Sequence, residues 1–262
     1  MPSQANHSEK KLRKLSQCTA GKIPEPKPKA RMKILVIDIG GTNVKLMASD
    51  QKEVRRFASG PKLTAGQMVE KVKQRTAGWK YQAVSLGFPG PVRNGMPAAE
   101  PVNLRPGWVD FDYEAALDRK VRIINDAALQ ALGSYKAGRM LFMGLGTSVG
   151  STLIVDNVVI PLELGLLKYN GRTTFEEALG DDGLATLGQE RWERAVHEIT
   201  DILRTTFVVD DMVIGGGSAK LIKTLPPGSR RGDNRNAFQG GLRLWQKKPA
   251  PVEVRESTWR LD

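Results

Sequence analysis

One pattern occurs twice in this chain, and it restricts the fold more than any other feature. From Ile34 to Ser49 an apolar run, ILVIDI, breaks at a GGT turn and resumes as a second apolar run, NVKLMAS. From Leu141 to Val155 the order returns as apolar run, GLGTSVG turn, second run. Short apolar runs bounded by glycine turns read as buried strands, so each unit is a strand, a tight reversal and another strand. A glycine turn also lets the backbone approach a ligand with no Cβ in the way, and amide N–H groups converging there attract an anion. Two such turns can grip a phosphate chain from both sides, whereas either alone also reads as a plain hairpin.

Further strand-like runs are AVSLGFP (83–89), VRIIND (121–126) and DMVIGG (211–216), and STLIVDNVVIP is β-rich with a turn at Asp156 and Asn157. Helical patterns span 65–78, 127–138 and 190–207. In the last, Trp192, Val196, Ile199, Leu203 and Phe207 recur at spacings of three and four, which makes one apolar helical face. This mixture predicts an α/β fold with some hairpins, and 262 residues leave room for two modest domains.

The single cysteine, Cys18, excludes an intramolecular disulfide framework and supplies no Cys/His cluster for zinc. It suits a reducing compartment. No apolar run approaches the roughly 18 residues of a membrane span, and the first residues lack the apolar core of a signal peptide, so a cytoplasmic protein with no membrane partner is expected. Charge is uneven: residues 1–31 carry eight lysines and arginines against Glu9 and Glu25, half of the net +12. With the prolines of KIPEPKPKAR, the segment reads as a disordered basic tail or as a polyanion-binding arm. The remaining excess favours an anionic partner. Arg230, Arg231 and Arg235 in PPGSRRGDNRN read either as an anion track or as a solvated loop. Nucleic acid ranks last as a partner, because no helix-turn-helix, zinc finger or aromatic RNA-binding signature is present.

Neither glycine turn is a Walker loop or a GxGxxG turn. GTSVG does match the GxSxG nucleophile elbow, with Ser148, Asp181 or Asp182, and His197 in hydrolase order. An elbow must pass from strand into helix, however, and a β-rich run follows here. Phosphoryl transfer to a hydroxyl needs instead a carboxylate within reach of the hydroxyl proton and a means of offsetting phosphoryl charge. Asp126, at the end of VRIIND and the start of a helical stretch, is the candidate base, and it equally suits a helix N-cap. Asp38 ends a strand before the glycines. Lys45 reads as a phosphate contact or as an outward strand residue, and Gly215, Gly216 and Gly217 as a nucleotide-side turn or a simple strand-to-helix turn.

With these residues assembled, the chain resembles the ROK-family sugar kinases of the actin and hexokinase superfamily. DIGGTNVK is similar to the first phosphate loop, GLGTSVG to the second and VIGGG to the adenosine-side turn; GFPGPV, NLRPGW, INDAALQALG and IPLELG fall in family order. Within the family the likeness is to polyphosphate glucokinases, since LELGLLKYNGRTTFEEAL replaces the cysteine-rich zinc segment. The resemblance implies a two-lobed actin-like, ribonuclease H-like ATPase fold with a cleft. One lobe would span 32–122 plus 236–247 and the other 123–235, with a tail at 248–262.

It also implies a homodimer that transfers phosphate from polyphosphate or ATP to the 6-hydroxyl of glucose or a related hexose, with no zinc. Asp126 would be the base, and Asn103, Asn125 and Glu163 would bind sugar hydroxyls. Gly40, Gly41, Thr42, Asn43, Lys45, Gly146 and Thr147 would hold phosphates, Gly215, Gly216 and Gly217 a nucleotide, and Asp38 hydrated magnesium. The family's ELGH run reads ELGL here, with Leu166 in place of the sugar-holding histidine and Lys168 where a second acid is expected. Rival readings are a catalytically silent sugar-binding regulator acting through the basic tail, and a GxSxG hydrolase.

Overall fold

Strand β1 (Ile34–Ile39) is buried along its whole length, and this explains its unbroken apolar run. Successive side chains point to opposite faces. Leu35, Ile37 and Ile39 pack with Met68, Val69 and Val72 on one face, while Ile34 and Val36 meet Leu129, Ala237 and Phe238 on the other. The computed structural model describes residues 32–233 and 235–246. The basic segment 1–31 with Cys18, and the tail expected at 248–262, lie outside the described residues.

The first sheet is ordered β3-β2-β1-β4-β7, with β2 (Asn43–Ala48), β3 (Arg55–Ala58), β4 (Ala83–Phe88) and β7 (Lys120–Asn125). β1 pairs antiparallel with β2 and parallel with β4, which pairs parallel with β7. Helix α1 (Ala65–Arg75) covers one face, starting at a Thr64–Gln67 capping box. A short hairpin, β5 (Val92–Arg93) and β6 (Met96–Pro97), and helix α2 (Tyr113–Leu117) precede β7, which runs directly into helix α3 (Asp126–Ser134).

The second sheet repeats this order as β10-β9-β8-β13-β14, from β8 (Arg139–Leu145), β9 (Val149–Val155), β10 (Val158–Leu162), β13 (Asp211–Gly215) and β14 (Ser229–Arg231). Its pairings follow the same antiparallel and parallel sequence. The echo in the sequence is thus an echo of topology. β9 and β10 are joined through Asp156 and Asn157, both at positive φ (47° and 70°), as a tight two-residue hairpin requires. Between β10 and β13 lie the hairpin β11 (Lys168–Tyr169) and β12 (Thr173–Thr174) and helices α4 (Phe175–Leu179), α5 (Asp181–Leu187) and α6 (Gln189–Thr206). On α6, Trp192, Val196, Ile199 and Leu203 are buried as the spacing predicts, each contributing on the order of 1.5–3 kcal/mol.

Helix α3 is shared by both sheets. Its Leu129 joins Ile34 and Val36 of the first, while Ala127 and Ala131 pack with Met140, Phe142 and Ile154 of the second. A final helix, α7 (Asn236–Arg243), crosses it at backbone contact: a Cβ on Gly133 would overlap the Asn236 carbonyl, and one on Gly240 the Leu129 carbonyl. The same helix reaches the first sheet, where Ser85 Oγ donates to the Gly241 carbonyl (2.7 Å) and Trp245 Nε1 donates to Ser85 Oγ (2.8 Å).

The sequence-predicted strands and long helices are all present, with shifted ends. α3 stops at Ser134 rather than 138, because Tyr135 is extended and Gly138 takes φ 71°. Strands β3, β5, β6, β11, β12 and β14 and helices α2, α4 and α5 were not predicted. They are too short to show a period, and β14, reading SRR, carries no apolar signal at all.

Candidate active site

Asp38 near the end of β1, Gly87 of β4 and Ile124 of β7 lie side by side in register, one residue before Asn125 and Asp126. This places two carboxylates at the same edge of the first sheet. Gly87 lies beside both: an added Cβ would be in ordinary contact with Asp38 Oδ1 (3.6 Å) and Asp126 Cα (3.5 Å) but only 2.8 Å from Leu129 Cδ2, so the glycine makes room for α3. Asp38 is 3% exposed, and its Oδ2 accepts a 3.4 Å contact from Lys45 Nζ on the antiparallel neighbour β2. Burial holds the Asp38 carboxyl above its usual range, and the Lys45 charge only partly offsets this.

Asp126 is the first residue of α3, not its cap. The cap is Asn125, whose Oδ1 accepts from Ala128 N (3.0 Å) and whose Nδ2 donates to the Gly90 carbonyl (3.1 Å). The Asp126 carboxylate accepts from Ala127 N (2.9 Å) at the start of its own helix. Burial pushes its pKa up to about 7, with the like charges of Asp38 and Glu163 adding to the effect. Glu163 ends the β10 segment on an exposed turn, and its own carboxyl is raised by burial and by Glu176. A carboxylate poised near neutrality can take a proton from a hydroxyl at physiological pH.

The two glycine turns face each other. A Cβ on Gly41 would stand 3.7 Å from Thr147 Oγ1 and 3.8 Å from Asn103 Nδ2, so Gly41, Thr147 and Asn103 converge on one point. The first turn is closed by Gly40 N on the Asn43 carbonyl (3.0 Å), by Ser59 Oγ on the Gly40 carbonyl (2.6 Å) and by Ser59 N on the Thr42 carbonyl (3.0 Å). Asn103 is presented by a loop that Glu100 clasps, its carboxylate accepting from the N–H groups of Gly107, Trp108 and Val109 at 3.0–3.4 Å. Burial would raise the Glu100 carboxyl, but these three donors hold it below the usual range.

Gly216, at φ 84°, tucks the turn after β13 against the second glycine turn, where a Cβ would overlap the Leu145 carbonyl. Gly215 lies against the Phe142 ring (2.7 Å to an added Cβ), whereas Gly146 and Gly217 face open space. Asp181, Ser218 and Glu176 complete this side and were not assigned to it from the sequence. Asp181 accepts from Ser218 Oγ (2.6 Å), and Glu176 Oε2 accepts from Val149 N (3.3 Å). The adjacent acids after Gly180 were the only signal, and the hydrolase pattern had claimed them.

One open reading is narrowed, one exclusion is borne out, and two departures from the family run are placed. Arg230 is bound bidentately to Asp211 (2.7–3.1 Å) and to the Ser134 carbonyl, and Arg231 to the carbonyls of Ala219 and Ile222, so neither forms an anion track. Ser148 is followed by strand β9, not a helix, and His197 Nε2 meets the Thr224 carbonyl (2.8 Å), which removes the hydrolase elbow. Leu166 is 72% exposed on the turn after Glu163, while Lys168 lies near Glu177.

The duplicated sheet with a shared helix and two opposed glycine turns falls in the actin-like class of α/β folds. Within that class, solved structures assign the fold of the ROK sugar kinases. The inorganic polyphosphate/ATP-glucomannokinase of Arthrobacter sp. strain KM superposes with TM-score 0.71 at 23% identity, over 81% of this chain and 98% of its own. A ROK-family glucokinase from Streptomyces griseus, in complex with glucose and AMPPNP, gives 0.64 at 16% identity over 81% and 98%. A ROK-family protein from Streptococcus pneumoniae, in complex with sucrose, gives 0.65 at 15% over 82% and 98%. No protein-family model and no curated protein matches the sequence. Among the described residues, no helix is long and apolar enough to cross a membrane.

Proposed function

We propose that this chain is a sugar kinase that moves a phosphoryl group from ATP or polyphosphate to the 6-hydroxyl of glucose or a related hexose. The observation that carries the reading is Asp126: a carboxylate raised to about 7, at the head of the helix both sheets share, with Asp38 and Glu163 as charged neighbours. The sugar would lie between Asp126, Glu163 and Asn103. Asp126 accepts the proton of the attacking hydroxyl as its oxygen bonds to the terminal phosphorus, and the donor leaves with one phosphate fewer. The turns at Gly40–Asn43 and Gly146–Thr147 hold the donor's phosphates.

Magnesium fits this donor set. Asp38 is a buried carboxylate of like charge to Asp126, offset by one lysine, and hard oxygen ligands suit the ion. Among the described residues no cluster of three or more His, Cys, Asp or Glu side chains offers direct ligation. Asp38 would therefore hold the ion through water, and the ion would supply neutralising charge to the donor phosphates.

Because Arg230 and Arg231 are engaged within the fold, support for polyphosphate over ATP reduces to the opposed glycine turns and the glucomannokinase likeness. The test is sugar-6-phosphate formation with magnesium, ATP and long-chain polyphosphate in parallel, a panel of hexoses, and Asp126→Asn as control. Turnover lost in the variant supports the reading. Absence of wild-type turnover on every sugar and donor, or full turnover in Asp126→Asn, overturns it. The panel is needed because Leu166 and Lys168 lie three and five residues after Glu163, where the family run carries other side chains.

A further inference from the structure

Asp181 has no part in the transfer chemistry above, yet it stands between the two turns on the donor side. Its N–H donates to the Gly146 carbonyl (2.8 Å), its Oδ1 accepts from Ser218 Oγ (2.6 Å), and its Oδ2 meets Thr147 Oγ1 at 3.5 Å. Thr147 belongs to the second phosphate turn, and Ser218 follows the open glycine Gly217 and is 7% exposed. The preceding Gly180 permits the approach, since a Cβ there would lie 2.8 Å from the Glu176 carbonyl and 3.5 Å from those of Gly146 and Thr147. One carboxylate thus fastens a hydroxyl from each turn, across residues far apart in sequence.

We propose that Asp181 is a positioning residue for the phosphoryl donor: by tying Thr147 to Ser218 it fixes the spacing between the Gly146–Thr147 turn and the Gly217–Ser218 turn, so that one extended anionic ligand meets both preset. The inference rests on the kinase reading and deepens it on the donor side. None of these bonds of Asp181 reaches Asp126, Asn103 or Glu163, the residues assigned to the acceptor sugar. Binding energy then depends on the tie through ligand ordering: a slack turn must be ordered by the donor itself.

The experiment compares Asp181→Ala, Asp181→Asn, Ser218→Ala and the Asp181→Ala/Ser218→Ala double variant in donor and sugar kinetics. Asp181→Ala is expected to raise the donor KM roughly tenfold, as for a lost charge-assisted hydrogen bond, with the sugar KM and kcat within about twofold. Asp181→Asn keeps an acceptor for Ser218 and should recover most of the loss. The double variant should be no worse than Asp181→Ala alone. An unchanged donor KM in Asp181→Ala, or a sugar KM that rises in step with it, overturns the proposal. AMPPNP and polyphosphate binding by calorimetry to wild type and Asp181→Ala reads the same contrast without turnover. A missing activity with a retained affinity difference thus rejects the kinase reading alone, and no binding to wild type rejects both.

Discussion

Asp38 and Asp126 face the same edge of one sheet with only the bare backbone of Gly87 between them, and the charge of the first raises the proton affinity of the second. Burial does most to bring the Asp126 carboxyl near neutrality, and the neighbouring like charge adds to it.

Asp126→Asn separates chemistry from folding. Turnover should fall by at least about a hundredfold, the scale of a lost general base, while sugar affinity measured by calorimetry changes little. The variant should also be more stable than wild type. A folded pKa near 7 against an unfolded one near 3.9 means that wild-type stability falls as pH rises from about 4 to 7, then stays flat. Denaturant titrations should show the gap opening across that window, to at most about 4 kcal/mol at about 1.4 kcal/mol per tenfold change in proton affinity. A gap that does not vary with pH counts against the shifted carboxyl.

The same value sets the pH profile. Since the base acts deprotonated, kcat/KM for the sugar should climb with pH and level off above about 7. Asp38→Asn removes a charge that raises Asp126, so the window over which stability depends on pH should move downward. Unfolding rather than activity is the measurement, because the proposed function also gives Asp38 a part on the donor side. An unmoved window would dissociate the two acids.

Glu100→Gln tests the loop that presents Asn103. The Glu100 carboxyl is held low by three N–H donors, so its contribution is present above the unfolded value, near 4.3, and is lost as pH falls through the lower folded value. At pH 7 the variant should be destabilised by about 1 kcal/mol and have a raised sugar KM, with the stability difference shrinking in acid. Equal stability at pH 7 would mean that the clasp holds nothing in place.

Gly133→Ala addresses the crossing of α3 and α7. An added methyl overlaps the Asn236 carbonyl, which belongs to backbone and cannot turn aside. Destabilisation of about 1–3 kcal/mol or more is expected in urea, with turnover impaired even where the variant folds, because α3 carries Asp126 at its head.

Much of the fold was legible because its core strands are short, apolar and bounded by glycine. The duplication showed as two strand-turn-strand units, and Asp126 stood out by ending one strand at the start of a helix. What the sequence concealed is cross-chain pairing. Asn125 rather than Asp126 caps the helix, a one-residue difference that composition cannot distinguish. Arg230 and Arg231 looked like free charge until Asp211 and three backbone carbonyls were found to hold them. Asp181 and Ser218 lie 37 positions apart, and no local pattern announces their bond.

Helix α3 is gripped on one side by the first sheet and on the other by the second. Both cores are thus built on a single short helix, so a change that displaces it is felt in each half at once, and Asp126, its first residue, depends on the integrity of both.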